Sequence, residues 1–169
     1  MKAKLIINNK EFKIDISEEE LEELENKLRP TGYERVDKGC DYVYISDCGE
    51  LVAGNADLYS GLSGSRYDIA NYYSDVNVAE NNARADKLMR QLRRFSAEHR
   101  QNALDWYKSA QDKYYIFFNH HINKPLIENN QFMHTYGTIY FDSYAAAELA
   151  IDTFRDELVW YFTEYKDSL

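Results

Sequence analysis

Twice in this chain an aromatic pair leads into a Ser/Asp pair and then into a long amphipathic stretch. That pairing restricts the fold more than any compositional total. The segments are YYSDVNVAE (72–80) and YFDSYAAAE (140–148), and both close on Ala-Glu. Upstream, DYVYI (41–45) and DKYYI (112–116) share D-x-x-Y-I. The first motif recurs at an offset of 71 residues and the second at 68, so one unit is three residues shorter in its middle. Asp75 and Ser143 stand where a helix N-cap belongs. After them Val78, Ala85, Leu88, Leu92 and Phe95 form one apolar stripe, and Ala147, Ile151, Phe154, Leu158 and Phe162 form another. The strands, rich in Tyr, Phe, Val and Ile, suit a half-buried sheet that such helices can cover. The expected fold is α+β: antiparallel sheets in two similar strand–strand–strand–helix units, 40–111 and 112–169, with an N-terminal β-hairpin and helix over 1–29.

Local signals fill in that frame. KLIINNKEFKIDI alternates around Asn8-Asn9-Lys10, a hairpin pattern. Ser17 and Glu20 stand in capping-box spacing, Leu21, Leu24 and Leu28 give a narrow stripe, and Pro30 closes the helix. Asp47-Cys48-Gly49 and Asn119 through Pro125 are expected as turns between strands. GNADLYSGLSGS (54–65) reads as a flexible loop. QNALDWYKSAQD is expected to extend or follow the first long helix, anchored by Leu104, Trp106 and Tyr107.

The totals exclude several classes. With 44% hydrophobic and 29% charged residues the composition is globular, not disordered. Cys40 and Cys48, spaced C-x7-C, make neither a disulfide framework nor a zinc pattern. The first residues lack the apolar core of a signal peptide, and no run reaches the roughly 20 apolar residues of a membrane span. The expectation is a cytoplasmic protein with reduced thiols and no membrane partner. A net charge of −9 argues against bulk, sequence-blind DNA binding and suits either simple solvation or docking on a basic partner.

Against that acidic background, RADKLMRQLRRF (84–95) stands out. From 84 to 100 there are six Lys/Arg and two acids. Lys87, Arg90 and Arg94 lie opposite the apolar stripe, with Arg93 and Arg100 at the margin. Glu80–Arg84 and Asp86–Arg90 have i,i+4 spacing with the acid first. The ordinary reading is a solvated helix face. The functional one is an Arg-rich strip (Arg84, Lys87, Arg90, Arg93, Arg94, Arg100) for a phosphate backbone or an acidic protein. Acids concentrate at Glu18, Glu19, Glu20, Glu22, Glu23 and Glu25, and again on the last helix, where Glu148, Asp152, Asp156 and Glu157 are the candidate partner-binding set. Spaced carboxylates on a rigid helix can imitate phosphates and compete for a basic groove.

Other chemistries find little footing. Tyr42, Tyr44, Tyr114 and Phe117 could stack bases on a sheet, but alternation turns about half of such residues into a core. His120 and His121 are adjacent and point to opposite faces of a strand, His99 and His134 are isolated, and neither H-E-x-x-H nor C-x-x-C occurs. Ser63 lacks the strand–turn–helix frame of a nucleophile elbow, and no P-loop or dinucleotide fingerprint appears. No catalytic residue, metal or cofactor is therefore expected, and the chain reads as a non-enzyme.

The stretches MKAKLIINNKEFKIDISEEELEEL, TGYERVDKGCDYVYIS, RYDIANYYSD, ARADKLMRQLRRFSAEHR and GTIYFDSYAAAELAIDTFRDELVWYFTEY together resemble uncharacterised small proteins of Firmicutes phages, prophages and integrated mobile elements. The resemblance spans nearly the whole chain, and its motifs are structural. It implies a genetic habitat in which small acidic proteins resemble anti-CRISPR and anti-restriction inhibitors. The leading expectation is a protein-binding inhibitor of a host nucleic-acid-targeting defence protein, such as a CRISPR effector nuclease or its guide-RNA complex. The alternative is a nucleic-acid-binding accessory protein acting through the basic helix 84–100.

Overall fold

The computed structural model describes residues 2–7, 10–56, 61–108 and 110–165. Strands β1 (Lys2–Ile7) and β2 (Lys10–Asp15) pair antiparallel, with Ile7 opposite Lys10. Asn8 and Asn9, expected in the turn, lie outside the described residues, as do the side chains of Leu24, Glu25 and Leu28 in the helix that follows. Helix α1 (Glu18–Leu28) starts in the expected capping box. Ser17 Oγ accepts from the Glu20 amide at 3.1 Å, and the Glu20 carboxylate accepts from the Ser17 amide at 2.9 Å. The helix ends with Arg29 as C-cap, just before Pro30.

Strands β3 (Asp41–Ile45) and β4 (Leu51–Asn55) form the second antiparallel pair. On the other side of β3, Val43 and Tyr73 exchange both backbone hydrogen bonds, at 2.9 and 2.8 Å. In the second half β5 (Lys113–Asn119) lies between β6 (Lys124–Asn130) and the short β7 (Tyr140–Phe141). There Tyr114 pairs with Phe141. Val43 and Tyr114 are 71 positions apart and Tyr73 and Phe141 are 68, so the sequence offsets reappear as the same cross-strand register. The third strand of the first half is reduced to this single bridge.

Helix α3 (Val76–Glu98) follows Asp75, whose carboxylate accepts from the Asn77 and Val78 amides. At 23 residues it is about 35 Å long. That length lets it serve two cores. Near its start Ala79 is buried against Ile45 and Tyr73. Further along, Leu88, Leu92 and Phe95 pack on Phe141, Ala147, Ala150, Ile151 and Leu158 of the second half. The helix of the first repeat is thus part of the hydrophobic core of the second. No helix among the described residues is long and apolar enough to cross a membrane.

Four expectations about local structure are corrected. The last helix is not continuous: α4 (Tyr144–Thr153) and α5 (Arg155–Thr163) meet at Phe154, φ −115° and ψ 22°. Thr153 Oγ1 donates back to the Leu149 carbonyl at 2.7 Å, a bond that bends helices. The Gly/Ser-rich loop contains a helix, α2 (Gly61–Asp68), while 57–60 fall outside the described residues. Arg66 holds α2 down by donating to the Tyr42 hydroxyl at 2.8 Å, with its guanidinium 3.5 Å from the Tyr44 ring centroid. Residues 101–112 do not extend α3, which stops at His99, and Tyr107 is fully exposed instead of anchoring. Pro125 belongs to β6 opposite Phe118, on an edge strand, the place in a sheet where proline is tolerated.

Candidate nucleic-acid interface

The six basic residues proposed from sequence separate into groups. Arg84 turns away from Glu80 to Glu157 of α5, Nε to Oε2 at 2.8 Å and Nη2 to Oε1 at 3.1 Å. Its guanidinium also lies 3.9 Å from the Trp160 ring centroid. Lys87 is exposed. Arg90 reaches Asp86 at 3.4 Å and Arg94 reaches Glu98 at 3.7 Å, both on the exposed face at i,i+4 spacing. Arg93 and Arg100 are exposed, and among the described residues neither has an acidic partner. Both line a cleft of about 500 Å³ beside the C-terminal end of α3.

The other wall of that cleft comes from residues that sequence reasoning passed over. Trp106 and His134 stack face to face, ring centroids 4.4 Å apart and planes 5° from parallel. Tyr140 meets Trp106 edge-on at 4.8 Å. The Tyr140 hydroxyl accepts from the Thr135 amide at 3.0 Å and donates to the Met133 carbonyl at 3.2 Å. Burial pushes the phenol up, but the hydrogen-bonding groups of Thr135, Asn130 and Thr138 together outweigh it and leave it below its usual value. Ser96, buried on α3, donates to the Tyr140 carbonyl at 2.7 Å and ties the helix to the strand.

Lys113 holds the aromatic wall from behind. It is fully buried, and its Nζ donates to the carbonyls of Gln111 at 2.9 Å, Gln131 at 3.0 Å and Lys108 at 3.2 Å. Three donors meet three acceptors, so the ammonium is satisfied without a carboxylate. The same Nζ is 5.3 Å from the Trp106 ring centroid. One side chain thus fixes the segment after α3 and the start of the segment that carries His134. A signal was present in the repeat: Lys113 stands 71 positions after Tyr42, which is buried in the first half. A lysine at a core strand position marks a buried charge with built partners.

The acidic set is divided as well. Glu148 lies on α4 and is exposed, and Asp152, also on α4, is paired with Arg155 at 2.6 Å. Across the break at Phe154, Asp156 is exposed and Glu157 is the partner of Arg84. The hydrogen bonds from Arg84 hold the Glu157 carboxyl below its usual range. A phosphate-like row of four free carboxylates on one helix is not what the fold presents. Two of the four aromatics considered for base stacking are committed elsewhere: Tyr42 is buried and stacks on Tyr72 at 4.0 Å, while Tyr44 carries Arg66. Among the described residues no cluster of three His, Cys, Asp or Glu could hold a metal ion, and Cys40 and Cys48 are exposed and free. No protein-family model, curated protein or solved structure matches the chain.

Proposed function

We propose that the protein binds nucleic acid through the C-terminal half of α3. The observation that carries this reading is the pair Arg93, on α3, and Arg100, just past its C-cap, two guanidinia without acidic partners among the described residues on the rim of a cleft with an aromatic wall. Guanidinium groups recognise phosphate by paired N–H donors, and flat rings accept bases. Lys87, Arg90 and Arg94 extend the positive strip along the exposed face. The overall charge of −9 opposes the approach of a long polyanion, so the footprint is short and the affinity local. In the phage and mobile-element habitat that the sequence resembles, such binding would act on the guide or target strand of a host nucleic-acid-targeting complex.

The test is anisotropy of a labelled oligonucleotide titrated with the protein at increasing salt. Two phosphate contacts on a single strand give a slope of log K against log salt of about −1.4. The Arg93→Ala, Arg100→Ala double variant abolishes the shift, and unchanged binding by that variant refutes the proposal. A second reading rests on α1, where Glu18, Glu19, Glu20 and Glu22 are all exposed on one short helix. That acidic face suits docking on a basic protein groove, as an inhibitor of a defence nuclease would. Charge reversal of those four residues, scored in a plasmid-interference assay, separates the two readings.

A further inference from the structure

The site just described has more in it than a pair of phosphate contacts. At the cleft the His134 imidazole stacks parallel on the Trp106 indole, and Lys113 Nζ lies 5.3 Å from the centroid of the same indole. One face of the indole is taken by the imidazole. The imidazole lies parallel to it, is exposed, lines the cleft, and has no second stacking partner among the described residues. A stacked pair of rings whose outer member is exposed, beside two guanidinia with no acidic partner among the described residues, is a platform for one more ring.

We propose that this platform takes a single unstacked nucleobase from a single strand, the base lying on His134 and its flanking phosphates meeting Arg93 and Arg100. The inference rests on the nucleic-acid reading and names its substrate class. A base inside a duplex has both faces covered by its neighbours and cannot reach such a surface without being extruded. A base in a single strand offers a free π-face whatever its identity, so the subsite selects strandedness more than sequence. Arg93 lies on the last turns of α3 and Arg100 just past its C-cap His99, and both line the cleft that His134 enters. The segment that carries His134 also exposes Phe132, Met133 and Tyr136, apolar surface next to the platform that water alone would not favour.

Three ligands with similar backbones test this: a labelled single-stranded oligothymidylate, the same strand with abasic sites in place of bases, and the corresponding duplex. The intact single strand should bind about tenfold more tightly than the abasic one, the scale of one stacked base. His134→Ala should erase that preference and leave abasic binding unchanged, and His134→Phe should restore it, since an uncharged ring is enough for stacking. His134 is exposed, so neither variant threatens the fold. Equal binding of intact and abasic strands, a preference that survives His134→Ala, or displacement of the strand by polyglutamate as readily as by unlabelled oligothymidylate overturns the proposal. Single-strand binding lost in Arg93→Ala, Arg100→Ala but untouched by His134→Ala would leave the nucleic-acid reading standing and remove the base subsite. If none of the three ligands binds, both fall.

Discussion

Arg84 and Glu157 join the two repeats across 73 positions of sequence, with two parallel hydrogen bonds at 2.8 and 3.1 Å. Trp160 lies beneath the guanidinium at 3.9 Å. The contact removes one cation from the basic strip and one anion from the acidic helix, and spends both on holding α3 to α5. What was expected as two outward surfaces of opposite sign is partly a seam within the protein.

The strength of that seam is limited by solvent, because the two side chains retain 44% and 39% of their exposure. A double-mutant cycle with Arg84→Ala and Glu157→Ala should give a coupling of about 0.5–1 kcal/mol in urea unfolding, reduced by added salt. Glu157 titrates below its usual range when folded, so the contribution is present above the unfolded carboxyl pKa and fades as pH falls through the folded one. Arg84→Ala should leave oligonucleotide affinity unchanged where Arg93→Ala weakens it. An equal loss from both would mean that Arg84 exchanges Glu157 for phosphate.

A second pH-dependent contact lies at the entry to the first repeat. Glu34 accepts hydrogen bonds from the Thr31 amide, the Thr31 hydroxyl at 2.7 Å, the Gly32 amide at 3.0 Å and Ser74 Oγ at 2.9 Å. These donors, the Thr31 amide foremost, lower its pKa from 4.5 to about 2. A folded pKa below the unfolded one gives stability that is complete above 4.5 and lost as pH drops from there toward 2. Urea midpoints of the wild type should therefore exceed those of Glu34→Gln at neutral pH, and the gap should close across that interval. A gap that is constant with pH would show that the carboxylate charge is not what matters.

How much of this was legible in sequence follows from range. Ser17, Asp75 and Ser143 cap their helices as read, because a cap is settled within three residues. The repeat alignment carried through to register, Val43 with Tyr73 and Tyr114 with Phe141, because inward-facing periodicity fixes pairing. Arg84 was misassigned to Glu80 since local spacing offered a partner and the fold supplied a better one in Glu157. Helix α2 was hidden by its Gly and Ser content, and it buries none of its residues. Its anchor is Arg66 on Tyr42 and Tyr44. The cleft was invisible because Arg93, Trp106 and His134 converge only when Lys113 draws two loops together.

Gly32 and Gly49 adopt nearly the same backbone, φ 85° and 84°, in different surroundings. A methyl group on Gly49 meets nothing within 4 Å, whereas one on Gly32 would lie 2.6 Å from Val78 Cγ2. Gly49→Ala should cost the left-handed backbone penalty alone, about 1–2 kcal/mol. Gly32→Ala should add an overpacking cost of about 1–3 kcal/mol, because Val78 sits in the first turn of α3 and yields little. Thermal unfolding of the two variants side by side measures the difference. Equal melting temperatures would show that the segment 31–36 moves aside freely.

Lys113 makes the sharpest prediction about the cleft. Lys113→Met keeps the length and the apolar stem but takes the Nζ donor from the carbonyls of Gln111, Gln131 and Lys108, of which Lys108 still accepts from the Gln111 amide at 3.3 Å. One buried acceptor left unsatisfied costs about 1–3 kcal/mol, and water can reach some of the three only by opening the loops. Stability should fall by at least that amount. Trp106 emission should shift to the red, since the indole loses the cation 5.3 Å from its ring and gains solvent. Lys113→Arg should not restore it, because a planar fork of donors does not match three carbonyls converging on one nitrogen. Oligonucleotide affinity should drop in both variants even under conditions where they remain folded, since the wall that presents His134 is no longer held. A Met variant with wild-type stability and unaltered Trp106 emission would show that the backbone of these loops holds itself, and that the buried charge is incidental to the site.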